Sequence, residues 1–234
     1  MSNLSDDIIF IRGETINLCI PNVDSDSVQL WTEIINDQKV NTLIGQGYFP
    51  IDKHNQVDYI KEILKSKSRI LLQIIAKKTN KFLGVVSLSE IDFINRRAQL
   101  STVCPLKCES AKYAALQARA LISDHAFQKL GLSSVYSYQA YPENKRWAQL
   151  SEVIGFLPSG FSMSSYQING ELTHRLIISL TSDSYWRLLN NENSLWPGTD
   201  HIKIRVAKLT ADKSLADSLF TFVSAMRDQY VYPD

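Results

Sequence analysis

Cysteine is scarce in this 234-residue chain. The three present, Cys19, Cys104 and Cys108, are odd in number and form no Cys-x-x-Cys pair. That excludes a disulfide framework and argues against a thiolate zinc site. The four histidines, His54, His125, His174 and His201, are scattered without His-Glu-x-x-His spacing. They read as structural or surface groups, and no metal is expected. Long apolar runs are missing too: stretches such as Ile70–Ala76 fall far short of a membrane span, so no membrane association is expected. Charge of one sign is not in excess, with 25 Lys and Arg against 24 Asp and Glu. No global basic field exists to hold nucleic acid or coat an anionic membrane. Met1–Asp7 lacks the basic head and apolar core of a secretory leader, so a reducing cytoplasm is the expected location.

What is present is ordinary globular composition, 44% hydrophobic, at a length suited to one large domain or one domain with an appendage. Ile8–Ile20 reads as an extended, hairpin-like start. The polar cluster Asp24–Ser27 precedes Val28, Leu30, Trp31, Ile34 and Ile35 at helical spacing, which predicts a helix to about Asn36. Asn41–Pro50, with two glycines and a proline, predicts a loop, and Gln56–Ser66 a second helix. The period then changes. Arg69–Lys77, Phe82–Ile91 and Ala98–Cys104 read as strands joined by short polar turns, an antiparallel meander ended by Pro105.

Glu109–Leu130 is the longest helical candidate, closed by Gly131. Ser134–Ala140 follows as a strand and Asn144–Ile154 as a helix closed by Gly155. Phe161–Ile168 and His174–Leu180 are strands around Asn169-Gly170, a strong hairpin signal. Residues 8–188 thus read as one α/β domain with a mixed, mostly antiparallel sheet flanked by helices. Residues 189–200 read as a polar linker. Residues 201–234 read as a strand, Ile202–Leu209, and a helix, about Lys213–Arg227. Such a tail cannot bury its own apolar face. It is expected to dock on the main domain or on a second copy of the chain, giving a homodimer.

Four stretches carry a resemblance: Ile11-Arg-Gly-Glu14 with Ile16-Asn-Leu18; Trp31 with Ile35-Asn-Asp37 and Val40; Ala126-Phe-Gln-Lys-Leu-Gly-Leu132; and Asn144-Lys-Arg-Trp-Ala-Gln-Leu-Ser-Glu-Val-Ile-Gly-Phe156. In this order of elements, residues 8–188 resemble the GNAT superfamily of acyl-CoA-dependent N-acyltransferases, in particular the branch of ribosomal-protein N-terminal acetyltransferases of the RimJ/RimL kind. The last stretch is the most specific, with Asn, Glu, Gly and Phe at the family spacing. The resemblance implies acetyl-CoA as co-substrate and direct transfer to a primary amine of a protein N-terminus, an amino sugar or another small amine. The alternative is a non-catalytic module on the same fold, with CoA binding lost or weakened.

The family's diphosphate loop falls on Cys108, Glu109, Ser110, Ala111, Lys112, Tyr113 and Ala114, and neither family glycine is present. Such a loop works by gathering main-chain N–H groups at a helix start, where the dipole favours anions. Lys112 and Lys107 offset the charge of Glu109. The resemblance further implies that the strand Ala98–Cys104 splays from Ser134–Ala140 and that a main-chain N–H near Val103 or Cys104 meets the thioester carbonyl. Gln99 stands where many relatives have a glutamate base, so Glu90 or Asp92 is left either as a base acting through water or as an ordinary strand-end carboxylate. Ser151 occupies the position of a tyrosine acid, and is either catalytic or on the helix surface. Asn144 is either a CoA or acceptor contact or a plain helix cap. Cys104 is either an acylated thiol or a small buried apolar group. The acceptor side falls to Tyr48 and Phe49 in the early loop, and to Tyr138 and His174 around the last hairpin; on its strand, Tyr138 also fits simple packing.

Overall fold

The computed structural model describes residues 8–44, 49–105 and 109–211, together with positions 221 and 225. Eight strands form one sheet in the order β1-β2-β3-β4-β5-β6-β8-β7. They are β1 (Ile9–Arg12), β2 (Ile16–Cys19), β3 (Ile70–Ala76), β4 (Phe82–Asp92), β5 (Arg97–Val103), β6 (Ser134–Tyr141), β7 (Leu157–Ile168) and β8 (Glu171–Thr181). The helices are α1 (Asp26–Asn36), α2 (Gln38–Ile44), α3 (Lys53–Lys65), α4 (Glu109–Gln128), α5 (Lys145–Ser151), α6 (Ser182–Glu192) and α7 (Thr199–Ala211). The expected mixed, mostly antiparallel sheet flanked by helices is present. The chain divides into two compact units, residues 1–136 and 137–234. Among the described residues no helix is long and apolar enough to cross a membrane.

In the first unit β1 to β5 pair antiparallel in sequence order, and β5 pairs with β6 in parallel. Strand alternation divides the side chains between two faces. On one face, Val28, Trp31 and Ile35 of α1 and Ile60 and Ile63 of α3 cluster with Leu71 and Val85. Helix α4 packs on β2 to β5. Gln117 of α4 fixes the opening hairpin there: its buried Oε1 accepts from the N–H groups of Thr15 and Ile16 and from the Thr15 hydroxyl, at 2.9–3.1 Å.

The second unit centres on the β7–β8 hairpin, whose tight turn places Asn169 and Gly170 at φ +51° and +87°. A single turn of 3-10 helix, Glu152–Ile154, follows α5 and ends at Gly155, φ +89°. A Cβ at Gly155 would lie 2.5 Å from Leu188 Cδ1 and 2.9 Å from Leu180 Cδ1, so only glycine fits both the backbone and the space. Phe156 beside it is fully buried. The Gly-Phe end of the most specific sequence stretch is therefore a packing requirement.

Three expectations are corrected. Ile202–Leu209 is not a strand but most of α7, because Ile202 and Val206, four apart, bury one helical stripe while Ile204 is 56% exposed. A tail strand able to extend a neighbour's sheet is thus absent among the described residues. The linker 189–200 begins inside α6, capped at Thr181, whose side chain accepts from Ser184 N–H. The loop Asn41–Pro50 begins as helix, since α2 continues to Ile44.

Candidate active site

Strand β4 is forced against the end of β5 at Gly84. Its φ is +149°, and a Cβ there would sit 2.2 Å from the Val103 carbonyl oxygen and 2.9 Å from Cys104 Cα. Only a residue without a side chain permits this approach. The Cys104 thiol donates to the Leu83 carbonyl at 3.1 Å and lies 3.8 Å from the Ala111 carbonyl in the first turn of α4. Cys104 thereby ties the β5 exit to both β4 and α4, and it is half-buried.

The β5–β6 ladder is short. It pairs Arg97 with Ser134, Ala98 with Val135 and Gln99 with Tyr136, and among the described residues it ends there, while β5 runs on to Val103. Gln99 also pairs with Ser89, and Ser101 with Ser87. Leu88, Leu100 and Ala98 are fully buried on the other face. By alternation the half-buried Ser87, Ser89, Gln99 and Ser101 form a polar strip on the face that carries Val85.

Glu90 stands at the end of that strip. The β4–β5 register shifts between Ser89 and Asp92, and within this bulge Glu90 adopts φ +51°. Its carboxylate Oε2 accepts from the Tyr136 phenol at 2.7 Å. Asp92 is committed elsewhere. It accepts from the Ile94 and Asn95 N–H groups at 2.9 Å and from the Asn95 side chain. The Asn95 side-chain amide first, then the Asn95 main-chain N–H, hold its carboxyl below the usual range. Of the two carboxylates weighed as bases, Asp92 builds the turn and Glu90 is presented at the strip.

The segment expected to hold a diphosphate is helix from Glu109 onward; Cys108 lies outside the described residues. Glu109 and Ser110 open α4, Ala111 is buried, and Tyr113 is 7% exposed. Lys112 Nζ lies 4.8 Å from the Tyr113 ring centre. Tyr48 lies outside the described residues, and Phe49 is 80% exposed.

In the second unit, Asn144 is the N-cap of α5, and its side chain makes no capping bond. Ser151 is fully buried and its hydroxyl donates to the Trp147 carbonyl at 2.9 Å. Burial pushes the neighbouring Glu152 carboxyl up to about 7. His174 Nδ1 accepts from Ser164 N–H at 3.2 Å, and its ring lies 5.2 Å from Phe161, which in turn meets Tyr141 at 5.9 Å. Tyr138 lies under the guanidinium of Arg175, 4.8 Å from ring centre to Cζ.

Three residues escaped the sequence reading: Tyr136 as the partner of Glu90, Arg175, and Gly84. Only Gly84 left a signal, a glycine inside a strand pattern, which marks a bulge or close backbone approach.

No curated protein sequence matches the chain. Among solved structures, the spermidine N-acetyltransferase of Vibrio cholerae in complex with CoA and spermine is similar, with 17% identity, 74% of this chain and 99% of that one covered, and a TM-score of 0.63. A structure described as a probable acetyltransferase is similar at 21% identity, covering 73% of this chain and 95% of that one, with a TM-score of 0.62. At these identities the likeness is one of fold. Residues 17–157 match the family model of the acetyltransferase (GNAT) domain, more than half of the sequence. The chain therefore belongs to the GNAT acetyltransferase family.

Proposed function

We propose that this protein transfers an acyl group, acetyl, from acyl-CoA directly to a primary amine. The observation that carries the reading is the polar rung Ser89–Gln99–Tyr136, with the Glu90 carboxylate at its end, where the β5–β6 ladder stops. An amine near pKa 10.4 must lose a proton before it attacks, which costs about 4–5 kcal/mol at neutral pH. Gln99 cannot accept that proton. Glu90 can, directly or through water, and Tyr136 fixes its carboxylate.

Acyl-CoA, when bound, supplies the activated thioester carbonyl. The residues of this chain fit it in two places. The main chain at Val103–Cys104 runs past the last β6 rung, and we assign it to the thioester carbonyl oxygen. The first turn of α4, with Lys112, suits a diphosphate. Ser151 is the weaker candidate for protonating the departing thiolate, because its hydroxyl already serves the Trp147 carbonyl. Asn144 is assigned to CoA or acceptor contact, and Phe49, Tyr138 and His174 to the acceptor side.

The acceptor class is a protein N-terminus, an amino sugar or another small amine. The Asn144–Phe156 segment supports the RimJ/RimL-like branch, and a reducing cytoplasm belongs to the same reading. The test is to incubate the protein with acetyl-CoA and a panel of a free-N-terminus peptide, an amino sugar and a polyamine, following thiol release. Turnover with at least one acceptor and a CoA-dependent rise in melting temperature are expected. Neither effect, with any acceptor, overturns the reading in favour of a non-catalytic module.

A further inference from the structure

We infer that Arg175 is the anion-binding part of the acceptor site, so that the acceptor carries a carboxylate or phosphate beside its amine. The inference rests on the transferase reading above and on Tyr138 as an acceptor-side residue. It begins with the β7 bulge. The β7–β8 register shifts between Ser162 and Tyr166, and Ser164 adopts φ +46° with its N–H held by His174 Nδ1. This turns the Ser165 carbonyl and the Tyr166 ring toward Arg175. Arg175 Nη2 donates to the Ser165 carbonyl at 3.3 Å, and the guanidinium lies 4.8 Å from the Tyr138 ring centre and 5.7 Å from that of Tyr166.

Two aromatic rings flank the guanidinium, and a planar fork so flanked suits a carboxylate or phosphate. Yet among the described residues no carboxylate lies within ion-pair distance of Arg175, and its buried Nε has no hydrogen-bond partner there. A partly buried charge is costly until it is paired. The aromatic faces compensate in part, and an anionic acceptor group completes the pairing. A polycationic acceptor would be repelled instead, which sets this chain apart from the spermidine N-acetyltransferase whose fold it shares.

The test uses the full chain, acetyl-CoA and matched acceptors differing in one group: glycine against glycinamide, phosphoethanolamine against ethanolamine, and spermidine. Wild-type kcat/KM should favour an anionic member over its neutral partner by about 10- to 100-fold, as for a hydrogen bond to a charged group. Which pair shows it separates carboxylate from phosphate. Arg175→Gln should erase the preference by raising KM for the anionic member more than for its neutral partner, and Arg175→Lys should restore part of it. Equal wild-type rates on neutral and anionic members, or an equal loss on both in Arg175→Gln, overturns the inference while leaving the transferase reading intact. The wild-type comparison needs no variant and decides the matter if Arg175→Gln does not fold. Thiol release with none of these acceptors, and none in the wider panel above, overturns the transferase reading and this inference with it.

Discussion

Tyr136 donates its phenolic hydrogen to Glu90 Oε2 at 2.7 Å, and Glu90 presents that oxygen from a left-handed backbone conformation at φ +51°. A residue with a Cβ held there stores of order 1–3 kcal/mol, and such strain persists only where the surroundings over-determine it. The bulge between Ser89 and Asp92 supplies the constraint, and Tyr136 fixes the side chain. Glu90→Gln should lower kcat/KM by about 10²–10⁴-fold, the range for a positioned base. Tyr136→Phe should lower it less, since the carboxylate stays but loses its orientation. Asp92→Asn should instead lower the melting temperature with little effect on rate. Steady-state kinetics on the best acceptor, with melting curves for all three variants, checks the set. Equal losses of rate at Asp92 and Glu90 would defeat the assignment.

Gly84 makes the second prediction. With φ +149° and the Val103 carbonyl 2.2 Å from the position of a Cβ, alanine cannot enter without parting β4 from the β5 exit. The Cys104 bond to Leu83 would be strained at the same time. Gly84→Ala should cost about 1–3 kcal/mol or more. For a chain of this size that lowers the melting temperature by several degrees, at about 2–4 °C per kcal/mol. Gly170→Ala is the control: its φ is +87° but no atom lies within 4 Å of an added Cβ. It should therefore cost less than Gly84→Ala, and scanning calorimetry of both variants decides.

The legible parts of this fold were those where period and punctuation agree. The β3–β5 meander shows short apolar, strand-forming runs cut by Lys77–Lys81 and Asp92–Arg97, and Asn169-Gly170 marks its hairpin without context. The tail was illegible for a physical reason. Ile9-Phe-Ile-Arg12 and Ile202-Lys-Ile-Arg205 share one alternation, yet the first is β1 and the second is helix. Four letters fit both periods, and the choice falls to packing: Ile202 and Val206 are buried together, whereas Ile204 is not. The site was legible as segments and not as pairs. Glu90 was visible as a strand-end carboxylate, but its partnership with Tyr136 depends on a register shift and a parallel rung 46 residues away. Arg175 gave no sign, because its surroundings are built by a bulge in another strand.

Glu152 predicts a pH dependence. Burial raises its carboxyl from 4.5 to about 7 in the folded chain. The folded state therefore favours the protonated form. The stability this group confers is fully present below its unfolded pKa near 4.5 and is lost as pH rises towards 7, after which the penalty is constant. Glu152→Gln should remove that slope and raise the melting temperature above pH 7, with little effect near pH 4.5. Solvent screening at a half-buried carboxyl keeps the effect to a few degrees. Melting curves of both proteins between pH 4.5 and 8 test it, and parallel curves would show that Glu152 ionises without penalty.

Arg205 predicts how α7 is held. Its Nη1 donates to the Val153 carbonyl in the 3-10 turn at 2.6 Å, and its Nη2 pairs with Glu192 of α6. His201 Nε2 lies 3.4 Å from the same Glu192 oxygen. The apolar stripe Ile202 and Val206 lies on the same helix, so α7 is fastened by a buried stripe and a polar clamp. Arg205→Ala leaves the Val153 carbonyl and the Glu192 carboxylate short of a partner, and the orphaned groups make the loss asymmetric. It should cost about 1–3 kcal/mol, lowering the melting temperature by about 2–12 °C. Arg205→Lys should recover part of this, because one ammonium keeps the charge but cannot serve both acceptors in a planar fork. Ile202→Ala should cost about 2–5 kcal/mol through the cavity it opens. A melting temperature unchanged in Arg205→Ala but sharply reduced in Ile202→Ala would show that the stripe alone docks the helix. The reverse would show that the clamp does.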